Sequence, residues 1–241
     1  IDFIKIALLS SVGITNLWVY KTLRVAVVSS GNELIKSGKK IKDHQVYDSN
    51  KYQIIHFLKK FNISVDDLGI LKDDEIKVDK FYKKNQKKFD IIISSGGSSF
   101  SSKDYISSFL SQNTELLFKY VRIQPGRPVI FSKLKYNYYF SLPGNPLAVF
   151  TNLFFLVSLF IDPSRKDNSS ITKFYQSGFS ENKKSNLTKF YRVKLSKNIL
   201  YTHNSKGSAK LISLSEADGL AFVPEGNDKI KKGEKIRFIE F

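Results

Sequence analysis

Apolar and polar positions alternate between two periods along the first two thirds of the chain. Residues 23–30 form a β-branched apolar run, residues 49–61 set Ile54, Phe57, Leu58 and Phe61 on one helical face, and residues 63–71 are a second strand candidate. A charged helix over 75–88 leads into a third strand at 89–94 with an apolar centre at Ile91–Ile93, and a further helix starts near Lys103. Strands then follow over 115–123, 129–134 and 138–142, before a long helix over 146–160 that opens with Pro146 behind Asn145 as a cap. Strands alternating with helices imply βαβ units, so the fold class expected is α/β, a mostly parallel sheet sandwiched by helices. After a polar linker at 162–170 the pattern becomes strand-like at 191–195, 210–213, 220–223 and 235–239, separated by glycines. This predicts a small all-β, barrel-like domain. The organisation expected is 1–22 as the tail of a preceding domain and a linker, 23–165 as the α/β domain, and 166–241 as the β domain.

Helical spacing at Ile4, Ala7 and Leu8 ends near Gly13 without the pattern of a signal peptide, and Trp18 reads as a core or interface group. The longest apolar run, residues 147–161, contains Thr151, Asn152 and Ser158 and falls short of the roughly 20 residues of a membrane span. It reads as a core helix covered on more than one side, by a neighbouring domain or a second chain.

Composition narrows the chemistry. The chain has 241 residues and no cysteine, so disulfides, thiolate metal sites and cysteine nucleophiles are excluded, and His44, His56 and His203 are too scattered to suggest a zinc site. The net charge of +17 is spread out, with 24 basic and 14 acidic residues up to position 165 and 15 and 8 beyond it. Nearly all the cations are lysine, whereas groove and phosphate recognition favours arginine, which argues against a dedicated nucleic-acid surface.

In an open parallel sheet the ligand crevice lies beyond the carboxyl ends of the strands. The residues expected there are Ser29–Glu33, Lys72–Asp74, Ser94–Ser99 and Pro143–Pro146. Consecutive glycines and serines present N–H and hydroxyl groups to an anion, and Glu33, Asp73 and Asp104 can hold a divalent metal beside it. Each feature alone has a simpler reading, a tight turn for Gly96–Gly97 and a helix cap for Asp73 or Asp104. Their joint occurrence at strand ends favours a site.

These residues carry a resemblance. The runs VAVVSSGNEL (25–34), YDSN (47–50), LGILKDD (68–74), DIIISSGGSS (90–99), QPGRP (124–128) and LPGNP (142–146) resemble, in order, the molybdopterin molybdenumtransferase family, which includes the bacterial enzyme and the gephyrin E domain. The tail at 207–226 is similar to that family's C-terminal β domain. The resemblance implies an enzyme that inserts molybdate into molybdopterin supplied in adenylylated form, with Mg2+, as a cytoplasmic homodimer downstream of a molybdopterin adenylyltransferase, and with no membrane or nucleic-acid partner. It assigns catalysis and tentative metal binding to Glu33, Asp73 and Asp104. Substrate and phosphate binding fall to Ser95, Gly96, Gly97, Ser99, Arg127, Pro143, Gly144, Asn145 and Pro146.

The chain departs from the family pattern at specific places. Asn32 replaces an aspartate, and Ser98, Phe100 and Ser101 stand in the glycine-rich loop at positions of valine, valine and glycine. Tyr120 and Gln124 occupy the places of two lysines, with Arg122 and Arg127 as possible compensation. The competing reading is therefore a chain that keeps the fold without the reaction, as a scaffold or degraded paralogue.

Overall fold

In the computed structural model, residues 1, 3–98, 104–163, 172–183, 185–202 and 211–241 are described. The strands are β1 (Val25–Ser30), β2 (Leu34–Ile35), β3 (Val46–Tyr47), β4 (Val65–Leu71), β5 (Ile91–Ser95), β6 (Glu115–Tyr120), β7 (Ile123–Gln124), β8 (Pro128–Leu134) and β9 (Asn137–Leu142). They continue with β10 (Thr172–Ser177), β11 (Glu181–Asn182), β12 (Thr188–Ser196), β13 (Ile199–Thr202), β14 (Gly219–Val223), β15 (Lys229–Ile230) and β16 (Lys235–Glu240). The helices are α1 (Phe3–Ser11), α2 (Asn50–Lys59), α3 (Glu75–Asn85), α4 (Tyr105–Asn113), α5 (Pro146–Asn152), α6 (Ser158–Ile161) and α7 (Leu211–Ser215), with a π-helical stretch at Leu153–Val157 joining α5 to α6.

The first sheet has the order β4-β1-β5-β9-β8-β6. The pairs β1–β4, β1–β5 and β5–β9 are parallel, and β8 and β6 extend the sheet antiparallel. β1 is buried at every position because alternate side chains serve two cores. Val25 and Val27 join Ile54, Leu58, Val149 and Leu153 on one face, whereas Ala26 and Val28 join Val78, Tyr82, Ile106 and Leu110 on the other. Helices α2 and α5 thus cover one face, and α3 and α4 the other.

The second sheet runs β13-β10-β16-β14-β12, and pairing of β13 with β12 closes it into a five-stranded barrel around Val193, Leu200, Ala221 and Phe238. The short β7 leaves the α/β unit to pair with β12, through Ile123↔Thr188 and Gln124↔Lys189. Arg122 reinforces this seam by a two-pronged bond to Glu225 at 2.7 and 2.6 Å and a bond to the Asn186 carbonyl at 3.1 Å.

Several expectations are corrected. The segment read as a strand at 210–213 is helical from Leu211, while Lys210 lies outside the described residues. The single strand expected over 115–123 is split into β6 and β7. Of the two readings of Trp18, the core one is corrected, since its side chain is fully exposed and joins no core among the described residues; α1 has no buried residue. The long apolar helix is covered by the sheet through Val149, Leu153 and Val157, and by the barrel through Phe155, whose ring lies 4.4 Å from Phe190. A second chain is not needed for its burial. The expected boundary at 165 and 166 and most of the linker lie outside the described residues. No helix among the described residues is long and apolar enough to cross a membrane.

Candidate functional site: a cleft at the strand ends

Parallel strands leave their last carbonyls and the following loops at one edge, and here the loops after β1, β4, β5 and β9 enclose a cleft of about 720 Å³. Glu33, Asp73, Asp104, Ser95, Gly96, Gly97 and the turn Pro143–Pro146 all line it. Ser99 lies outside the described residues.

The loop after β1 is locked to the loop after β4. Asp73 accepts hydrogen bonds from the Ser30 hydroxyl at 3.0 Å and the Asn32 N–H at 3.2 Å, and its own N–H donates to Asn32 Oδ1 at 3.3 Å. Asn32, the departure from the family pattern, thus completes a reciprocal pair that fixes the Asp73 carboxylate at the cleft. The helix cap expected of Asp73 is supplied by its neighbour. Asp74 accepts from the Lys77 N–H at 2.9 Å, and that bond holds its carboxyl below the usual range.

After β5 the backbone passes closer to β1 than a side chain permits. Gly96 has φ +84°, and a Cβ there would lie 2.4 Å from the Ser30 carbonyl; at Gly97, φ +79°, it would lie 2.8 Å from the Ile106 Cβ. Both positions therefore require glycine for conformation and for space. Asp104, 6% exposed, caps α4 by accepting from the Ser107 N–H at 2.9 Å, so the expected site residue and the expected cap are the same side chain. On the opposite wall, Asn145 accepts from the Leu147 N–H at 3.0 Å, and Asn50 donates to the Gly144 carbonyl at 2.8 Å.

Tyr47, Asp48, Ser49 and Asn50 also line the cleft, a role that the sequence reading did not give them. The YDSN run was visible just before α2, and only the tertiary structure shows that this helix starts beside the Pro143–Pro146 turn. Behind it the Lys51 ammonium is buried, 3.1 Å from Asp67 and 3.8 Å from Asp48.

The expected arginines are elsewhere. Arg127 is absent from the cleft wall; its guanidinium lies over the Tyr120 ring at 5.6 Å, a cation–π contact on the antiparallel edge of the sheet. Arg122 is committed to Glu225, and Gln124 accepts from the Ser185 hydroxyl at 2.9 Å. Among the described residues no three Asp, Glu or His side chains group closely enough to hold a metal ion. Glu33, Asp73 and Asp104 share a cleft without forming a cage.

The arrangement offers hydroxyl and N–H donors beside carboxylate acceptors in a concave, partly enclosed space, which suits a polar ligand carrying a phosphate. The family model described as "Probable molybdopterin binding domain" matches residues 26–162, and the "MoeA C-terminal region (domain IV)" model matches 176–241. Molybdopterin molybdenumtransferase of Haemophilus influenzae is 34% identical over 154 residues, 64% of this chain and 38% of that protein. The enzyme of the same name from a Nostoc species is 26% identical over 98% of this chain and 57% of its own length. A molybdopterin biosynthesis MoeA protein from Pyrococcus horikosii superposes over the whole chain with a TM-score of 0.81 at 28% identity, covering 60% of that structure. The chain thus spans from about two fifths to three fifths of the length of these relatives. Because the first model covers more than half of the chain, and covers the part that builds the cleft, the chain belongs to the molybdopterin-binding domain family, here joined to a MoeA-type C-terminal barrel.

Proposed function

We propose that this chain binds molybdopterin in its adenylylated form and serves molybdate insertion in molybdenum cofactor biosynthesis. The observation that carries the reading is the convergence of Glu33, Asp73, Asp104, Gly96–Gly97 and the Pro143–Pro146 turn on one cleft. Hydrolysis of the phosphoanhydride forms a bond from a water oxygen to phosphorus and breaks the bridging P–O bond, releasing AMP. It needs donors for the phosphate oxygens and an acceptor for the water proton. The N–H groups and hydroxyls around Gly97 and Ser98 supply the former, and Asp73, pre-oriented by Ser30 and Asn32, supplies the latter. Mg2+ belongs to this reading as a companion of the substrate phosphates, since one or two carboxylates suffice when phosphates complete the shell. A homodimer, a cytoplasmic location and an adenylyltransferase acting upstream complete the proposal, and sedimentation tests the dimer.

Titration calorimetry with adenylylated molybdopterin tests the binding. Affinity in the micromolar range or tighter is expected, and no heat from a folded sample at far higher concentration would refute it. Asp73→Asn should weaken binding or insertion by at least about tenfold, roughly 1.4 kcal/mol, at an unchanged melting temperature. Asp74→Ala should do the reverse. The second reading, a scaffold that has lost the reaction, is favoured by the structural engagement of Tyr120 with Arg127 and of Gln124 with Ser185. Growth of an insertase-deficient strain on a molybdoenzyme-dependent substrate, restored by the gene for the full protein, would exclude it.

A further inference from the structure

The cleft has a charge problem that its own wall does not solve. Four carboxylates line it, Glu33, Asp48, Asp73 and Asp104, and among the described residues its wall contains no lysine or arginine. Lys51, buried behind the wall, stands 3.8 Å from Asp48, and Lys72 donates to the Asn32 carbonyl at 3.3 Å, so Glu33, Asp73 and Asp104 are what weigh against a phosphate's charge at the wall itself.

The compensating charge stands at the rim. β2 and β3 pair in parallel through Leu34↔Val46 and Ile35↔Tyr47, and Leu34, Val46 and Tyr47 belong to the cleft wall. The loop that joins these strands therefore leaves from the wall and returns to it. Over residues 36–45 it carries Lys36, Lys39, Lys40 and Lys42 against a single acid, Asp43, and all four lysines are exposed. Among the described residues no ion pair engages any of them.

The loop is also built in place. Tyr47 of the wall donates its hydroxyl to the Lys39 carbonyl at 2.9 Å, the Lys39 N–H donates to Lys36, and Gln45 closes on Lys42 through both its N–H and its side-chain oxygen. Gly38, at φ +86°, turns the chain between Lys36 and Lys39. These bonds fix the backbone from which the four lysines project, in a loop that starts and ends at the cleft wall.

We infer that the lysine loop between β2 and β3 is an electrostatic collar that captures the phosphate-bearing ligand and delivers it to the carboxylate-lined cleft. The inference rests on the proposed binding of adenylylated molybdopterin. A collar of this kind accelerates arrival more than it holds the bound ligand, because exposed lysines attract across solvent over about a Debye length, some 30 Å at 0.01 M salt and 3 Å at 1 M.

The test is stopped-flow association of adenylylated molybdopterin, followed by pterin fluorescence. It compares the chain with a variant combining Lys36→Gln, Lys39→Gln, Lys40→Gln and Lys42→Gln. A control combining Lys83→Gln, Lys84→Gln, Lys87→Gln and Lys88→Gln removes the same charge at the other end of the sheet. The collar variant should associate about fivefold or more slowly at 0.01 M salt, dissociate within twofold of the parent, and match its association rate at 1 M. The control should change by less than twofold. Equal slowing by both variants reduces the effect to net charge and overturns the inference, as does a change confined to dissociation. Unchanged rates in the collar variant overturn it too. A parent chain that binds no ligand overturns the proposed function and the collar with it, whereas binding with unaltered rates overturns the collar alone.

Discussion

Gly96 and Gly144 face the same cleft under opposite constraints. A methyl group at Gly96 meets the Ser30 carbonyl and a positive φ, while at Gly144 it meets nothing within 4 Å. Gly96→Ala should therefore cost about 1–3 kcal/mol in denaturant unfolding, and Gly144→Ala should stay within about 0.5 kcal/mol while narrowing the cleft. The start of β1 carries a pH-sensitive tie. Arg24 donates its N–H to Asp90 at 2.8 Å and its guanidinium at 3.0 and 3.3 Å, and that partnership lowers the carboxyl below its ordinary range. The folded state then binds the proton less readily than the unfolded chain. The contribution is complete above about pH 4, the ordinary Asp value, and is lost as pH falls through the lower folded value. Asp90→Asn should melt earlier than the parent at pH 7, and the gap should close in melts taken progressively further below pH 4.

At the scale of elements, the helix over 146–161 shows which parts of the fold were legible. Its start was readable from Asn145 and Pro146, and its all-round apolar character correctly implied more than one cover. Sequence could not say which cover, because Phe155 meets Phe190 and Phe222 across 35 and 67 positions. Phe155→Ala should destabilise by roughly 2 kcal/mol and broaden thermal unfolding, as the α/β unit and barrel lose their shared packing. The strand-end motifs were legible because each is local: a buried run, then glycine, serine or an acid. Arg127, which the resemblance assigned to substrate binding, lies off the cleft wall because the Tyr120 ring on the paired strand β6 claims its guanidinium, a contact that no local pattern shows. In the barrel, β10 and β13 escaped notice because their polar and apolar positions alternate weakly, and residues 211–215 form a short helix despite a strand-like sequence.

For the whole molecule, the ladder from β7 to β12 matters more than its two residue pairs suggest. β7 is part of the α/β unit by chain order and part of the barrel by hydrogen bonding, and Arg122 and Glu225 lie beside it. Residues 1–163 and 172–241 are therefore bound to each other by a strand pairing, an ion pair and an aromatic cluster that do not depend on the covalent link between them. If a protease site engineered between positions 163 and 172 is cut, the two pieces should elute from a sizing column at the volume of the uncut chain. They should separate only in denaturant or when Phe155→Ala is added. Pieces that part under native conditions would show that the peptide bond, not the shared strand, keeps the barrel beside the cleft.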